Sequence, residues 1–141
     1  MSSMQIEHGT WQMLKHDAMP VREQVFIQEQ HIAAKDEWDA EDAVSVHFVV
    51  RDETIVIATA RLLRNNSIGR VAVLATHRGQ GVGRILMQYI IQYAQQEHRE
   101  FLKLSAQVHA IDFYANLGFV LEGEEYLDCG IPHIDMRMSL N

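Results

Sequence analysis

Three glycines at alternate positions, Gly79, Gly81 and Gly83, stand between a short apolar run and a long amphipathic one. Without Cβ atoms they let a ligand come close to peptide N–H groups, at the point where a helix begins and its first amides lack internal acceptors. A helix start of that kind favours anions, phosphate above all. Charge points the same way. Residues 54–96 hold no Asp or Glu but five arginines (Arg61, Arg64, Arg70, Arg78, Arg84), in a chain whose net charge is −7. The glycines are therefore expected to sit in a positive field. Two common nucleotide loops do not match: Arg84 stands where a dinucleotide fingerprint needs its third glycine, and no Gly-Lys-Ser/Thr follows. The eight histidines and single cysteine show no His-x-x-x-His or Cys-x-x-Cys spacing, so no metal is expected. Cys129 has an acid, Asp128, as its neighbour, which disfavours a thiolate nucleophile.

The elements that must position the glycines follow from periodicity. Val82, Ile85, Leu86, Tyr89, Ile90 and Tyr93 recur at three- and four-residue steps and predict a helix ending near residues 97–99. Residues 68–74 predict the strand before it, and 102–106 a strand after it that the helical crossover makes parallel to the first. Upstream, residues 44–50 and 54–63 read as a hairpin, and Asn65-Asn66-Ser67 as the turn into the 68–74 strand. Residues 4–11 predict an edge strand. Pro20 marks the start of a helix that carries Val21, Val25, Phe26 and Glu29. Residues 108–117 have helical spacing that Gly118 ends, and 119–122 and 134–140 predict two final strands. Residues 35–42 hold five acids around Trp38 and read as an exposed loop, either a solvated surface or a negative mouth.

Arg78-Gly79-Gln80-Gly81-Val82-Gly83 resembles the acyl-CoA-binding motif of the GCN5-related N-acetyltransferases, Arg/Gln-x-x-Gly-x-Gly/Ala between a strand and a helix. Phe113-Tyr114-Ala115-Asn116-Leu117-Gly118-Phe119 resembles the second segment of that family. Val25-Phe26-Ile27-Gln28-Glu29-Gln30, Ala106-Gln107-Val108-His109 and Gly130-Ile131-Pro132-His133 are similar to its ElaA/YjcF-like subfamily. The resemblance implies an α+β, three-layer acyl-CoA N-acyltransferase fold: a mixed, mostly antiparallel sheet with helices on both faces and a parallel strand pair that splays apart. It implies acetyl-CoA as co-substrate, with Val71, Ala72 and Val73 pairing with the pantetheine arm as a further strand would. The diphosphate would fall on Arg78, Gly79, Gln80, Gly81, Val82, Gly83 and Arg84. Gln107 stands where many members carry Asn, with the same amide on a longer stem.

The implied reaction is acetyl transfer to an amine. An alkyl amine of pKa ~10.4 is only about 0.04% neutral at pH 7, so a base is needed. His133 and Glu29 are the candidates, with a bound water as a third. Tyr114 is the phenol that would protonate the leaving thiolate, and the Val73 N–H the donor to the developing oxyanion. A second acidic group, Glu122, Glu124, Glu125 and Asp128, favours a basic acceptor such as a polyamine, an amino sugar or a lysine side chain. A non-catalytic acyl-CoA-binding or sensing module is the alternative from another class, and a nucleotide-binding protein a third.

The 141 residues, with no repeat or low-complexity linker, predict one domain. The first 30 residues lack a continuous apolar run, so no signal peptide or membrane span is expected and the cytoplasm is the default. The acidic balance argues against nucleic-acid binding. Oligomeric state stays open, a homodimer included.

Overall fold

The computed structural model describes residues 4–140. Seven strands form one sheet in the order β1-β2-β3-β4-β5-β7-β6. They are β1 (Met4–Gly9), β2 (Val46–Asp52), β3 (Ile55–Leu62), β4 (Ser67–Val73), β5 (Phe101–Gln107), β6 (Val120–Asp128) and β7 (Ile131–Ser139). Every neighbouring pair is antiparallel except β4 and β5. The helices are α1 (Trp11–Arg22), α2 (Ala34–Glu37), α3 (Val82–Gln96) and α4 (Ile111–Asn116).

Strand alternation sorts the core onto two faces. Phe48 and Val50 in β2 join Val82, Leu86, Met87 and Ile90 of α3 on one side. Val49, between them in sequence, meets Leu14 and Ala18 of α1 on the other. Ala72 of β4 packs under Val21, Val25 and Phe26. The helix expected after the glycines therefore lies where its stripe requires, with Met87 and Ala94 also buried in it.

Three expectations are corrected. The first helix begins at Trp11, not at Pro20: Thr10 caps it, its hydroxyl accepting from the Met13 N–H at 3.2 Å. Pro20 lies in its last turn, and beyond it the ladder widens into a π-helical stretch, Glu23–Glu29, that closes with Gln30 N–H on Val25 O at 3.2 Å. Proline supplies no N–H to an α-helical ladder, and widened turns of this kind are often found beside functional sites.

Second, residues 35–42 are not a wholly solvated loop: Lys35, Asp36, Asp39, Ala40 and Glu41 are exposed, but two of the acids are not. Glu37 and Asp42 are among the most buried polar residues of the chain. Arg22 donates to Glu37 Oε2 and Asp42 Oδ1, both at 2.7 Å, and lies between the Trp11 and Trp38 rings. Arg61 donates to Asp39 Oδ1 at 2.7 Å and Asp42 Oδ1 at 2.9 Å. Arg70 reaches Asp39 Oδ2 at 3.2 Å and Glu37 Oε1 at 3.3 Å. Three guanidinium groups thus balance three carboxylates in a network buried at Arg22, Arg61, Glu37 and Asp42 and reaching the surface at Asp39 and Arg70, the condition under which buried charge is tolerated. Burial pushes the Glu37 carboxyl up, while the Arg61 hydrogen bonds hold Asp39 below the ordinary carboxylate range. Third, Arg61 and Arg70 are taken up here, so the positive field expected around the glycines is weaker than the sequence implies.

β4 departs from regular pairing at this network. Thr59 lies opposite Ala72 and Arg61 opposite Gly69, so β4 carries one extra residue, a bulge. Arg70 sits in it with φ +52. β4 and β5 pair only at Ser67 with Lys103 and Ile68 with Leu104, and separate immediately beyond. The bulge bends β4 away at the point where the parallel ladder ends.

Arg22→Ala leaves Glu37 and Asp42 buried without their guanidinium. It is expected to cost about 3–5 kcal/mol of stability, read from the denaturant midpoint. His47 is buried with its Nε2 on Asp42 O at 2.9 Å, and burial pulls its pKa down, so the folded state resists taking up a proton. Stability is then complete above the unfolded imidazole value of ~6.5 and falls as the pH drops below it. His47→Gln should flatten that slope in urea titrations run from about pH 7.5 to 5.5.

Candidate active site

The gap between β4 and β5 opens into a cleft of about 870 Å³, within the size range of ligand pockets. Its lips are Val71, Ala72 and Val73 of β4 and Leu104, Ser105 and Gln107 of β5. On the α3 face it is lined by Gly79, Gly81, Val82, Gly83, Arg84, Phe113 and Tyr114. On the α1 face come Val25, Phe26, Glu29, Gln30, Asp36, Asp128, Cys129 and His133. Walls from both faces make it a passage through the sheet.

The glycine end has the form an anion needs. Gly79 and Gly81 have φ of +75 and +81, and a Cβ at either would point into open space. The first amide of the helix to find a carbonyl is Ile85, on Gly81 O at 3.1 Å. Among the described residues, the N–H groups from Gly79 to Arg84 have no protein acceptor. Gly83 serves a different purpose: it is helical, and a Cβ there would stand 3.3 Å from Phe113 Cζ. Gln80 does not line the cleft, and its side-chain amide turns back to Thr76 O at 3.4 Å. Arg78 lines it, but its guanidinium is held by both Glu29 oxygens at 2.8 Å and by Val73 O at 2.9 Å. Of the five arginines in residues 54–96, three are thus in ion pairs, and Arg84 is the cation left at the loop.

Strand geometry orients Val73. The Leu74 N–H bonds to Ile57 O in β3 at 2.9 Å, so the Val73 N–H, one residue earlier, turns to the opposite edge and faces the gap. Tyr114 is held edge-on by Phe113, with ring centroids 5.0 Å apart, and by Phe119 at 6.1 Å. Burial pushes its phenol up to about 12, which keeps it protonated at neutral pH. Its hydroxyl has no protein partner among the described residues and is not sealed from solvent.

His133 Nδ1 bonds to the Ile131 carbonyl at 2.7 Å, so the proton is on Nδ1 and Nε2 carries the lone pair. Nε2 has no protein partner among the described residues and is not sealed from solvent. Asp36 and Asp128 line the α1-face mouth with Cys129, whose thiol is pushed up by desolvation and then by these carboxylates. Each acidic rim of the sequence contributes one cleft-lining residue with an unpaired carboxylate, Asp36 from the first and Asp128 from the second.

Sequence reasoning missed the bulge at Arg70, although a glycine inside a strand, Gly69, is its ordinary signal. It also missed Gln30, whose Oε1 accepts from Gln107 Nε2 at 3.0 Å across the cleft.

A splayed parallel pair, a strand-loop-helix anion cradle and a mixed seven-stranded sheet define an acyl-CoA N-acyltransferase. Residues 14–140 match the family model described as "Acetyltransferase (GNAT) domain", and the chain belongs to that family. Within it the chain fits the ElaA/YjcF-like subfamily. It is 38% identical over 124 residues to the uncharacterized N-acetyltransferase YjcF of Bacillus subtilis, covering 85% of this chain and 89% of that one. The crystal structure of an acyl-CoA N-acyltransferase from Pseudomonas aeruginosa is similar at TM-score 0.84 and 32% identity, covering 98% of this chain and 99% of the other. That of Escherichia coli ElaA is similar at TM-score 0.83 and 28% identity, with the same coverage of 98% and 99%. The protein is thus an N-acyltransferase that uses an acyl-CoA.

Gly81→Asp places a carboxylate among the free amides and strains a left-handed backbone. Binding of coenzyme A, measured by titration calorimetry, should disappear. Gly83→Ala, which meets only the edge of Phe113, should retain most of the affinity.

Proposed function

We propose that the protein moves an acetyl group from acetyl-CoA to the primary amine of a small molecule or peptide by direct attack. The observation that carries this reading is the passage through the sheet: unpaired amides of residues 79–84 at one mouth, and an unpartnered His133 Nε2 beside Asp36 and Asp128 at the other. The acetyl donor is supported by the N-acetyltransferase name of the Bacillus relative.

Bound acyl-CoA supplies an activated thioester. The chain supplies the rest. The amides of residues 79–84, with Arg84 beside them, hold the diphosphate. Val71, Ala72 and Val73 offer a strand edge with no strand across the gap, the Val73 carbonyl already being held by Arg78. The Val73 N–H donates to the carbonyl oxygen as negative charge develops on it. Asp36 and Asp128 draw an ammonium ion to the α1-face mouth. His133 Nε2 accepts the proton that the amine must lose. Glu29 is the weaker base, because both of its oxygens are committed to Arg78; it braces the π-helical stretch against the end of β4. Tyr114 donates to the sulfur. With its pKa near 12, against ~8.5 for a thiol, it acts as a hydrogen-bond donor to the departing thiolate more than as a full proton source. Gln107 offers an amide to the arm from the β5 lip.

Coenzyme A release, followed with a thiol reagent over a panel of polyamines, amino sugars and lysine peptides, tests the reading. Thiol produced with a basic amine supports it. Tight acetyl-CoA binding with no thiol from any amine favours the sensing alternative. Tyr114→Phe should lower kcat roughly 10- to 100-fold with little change in acetyl-CoA affinity. His133→Gln should lower kcat/KM with little change in acetyl-CoA affinity.

A further inference from the structure

Tyr126 lies on an edge strand where nothing in the core needs it. All nine residues of β6 are exposed. Even so, its ring is fixed at both ends. Its hydroxyl donates to Asp135 Oδ1 at 2.7 Å and accepts from the Ser105 hydroxyl, so β5, β6 and β7 each contribute one member of the chain. Its ring faces the His133 imidazole, with centroids 6.1 Å apart and planes 23° from parallel.

The backbone is built to put it there. Glu122 lies opposite Asp135 and Tyr126 opposite His133, so four steps along β6 span two along β7. The extra residues fall at Gly123, whose φ is +87. A bulge of this kind re-aims the side chain that follows it. In regular register Glu124 would stand opposite His133.

His133 has one hydrogen bond to the protein, from Nδ1–H to Ile131 O. That bond selects the tautomer, but a single bond leaves the ring free to pivot about the N–H···O axis, and such a pivot swings Nε2 off its target. A flat ring beside the imidazole, itself pinned by Ser105 and Asp135, blocks the pivot. We propose that Tyr126 is a positioning residue for His133, fixing the plane of the imidazole so that the Nε2 lone pair stays directed into the acceptor mouth. The proposal rests on the reading of His133 as the base.

The first test needs no acceptor. Long-range 1H–15N correlation spectra of uniformly labelled protein report the two His133 ring nitrogens separately. In the wild type at pH 8 they should show one protonated Nδ1 and one bare Nε2. In Tyr126→Leu the protonated Nδ1 should persist, because the Ile131 carbonyl still selects it, while the His133 ring signals shift and broaden as the imidazole pivots; Tyr126→Phe, which keeps the ring but loses both anchors, should fall between. Ser105→Ala combined with Asp135→Ala removes both partners of the phenol without touching the ring, and should reproduce the Tyr126→Phe spectrum if Tyr126→Leu does not fold. Unchanged His133 shifts in the folded variants overturn the proposal.

The second test uses acetyl-CoA with the fastest amine of the panel. Tyr126→Leu should lower kcat about tenfold with the KM for acetyl-CoA unchanged, and should cost nothing further in a His133→Gln background. Equal losses in both backgrounds overturn the positioning role while leaving His133 as the base. Wild-type turnover in His133→Gln alone removes His133 from catalysis, and the purpose of the positioning goes with it, whatever the spectra show.

Discussion

Arg70 holds a left-handed backbone conformation, at φ +52, that costs a non-glycine residue about 1–2 kcal/mol. Its guanidinium compensates by reaching Glu37 and Asp39 and by donating to the carbonyls of Asp36 and Glu37. The same carboxylates, with Asp42, are shared with Arg22 from α1 and Arg61 from β3. One charge-balanced network therefore joins the first helix, the short acidic segment and two central strands, and holds the bulge that turns β4 away from β5. Without that bend the parallel ladder would continue past Ile68 and Leu104, and the sheet would have no opening.

The opening gives the site two sides with different chemistry. The α3 face offers unpaired helix-start amides and a cation, the environment of a diphosphate. The α1 face offers carboxylates and an imidazole, an environment that attracts cations. The Val73 N–H faces the gap between them.

The end of the π-helical stretch ties the lips of this passage together. Glu29 is bound to Arg78 after β4, and Gln30 to Gln107 at the end of β5. Successive side chains reach opposite lips because the widened turns after Pro20 rotate the chain end over the gap. The cleft is bordered by departures from regular structure: a π-helical stretch, a bulge at Arg70 and another at Gly123.

The sequence by itself determined what local pattern and short spacing can carry. The order of strands, the helix that starts at the glycines, the parallel pair and the family all follow from periods of two and 3.6 and from contiguous motifs. Tyr114 and His133 stand out for the same reason, as members of such motifs, and both line the cleft. Tertiary structure alone decided which charges are available. Residues 35–42 look solvated, and five arginines look like one field, because sequence shows the sign of a charge but not its partner. Arg22, Glu37, Asp42, Arg61 and Arg70 meet only once α1 is laid on β3 and β4, and that meeting turns a charged loop into a buried brace. Tyr126 came into view the same way: its neighbours Ser105, His133 and Asp135 belong to other strands, and a two-residue bulge set the register that brings them together.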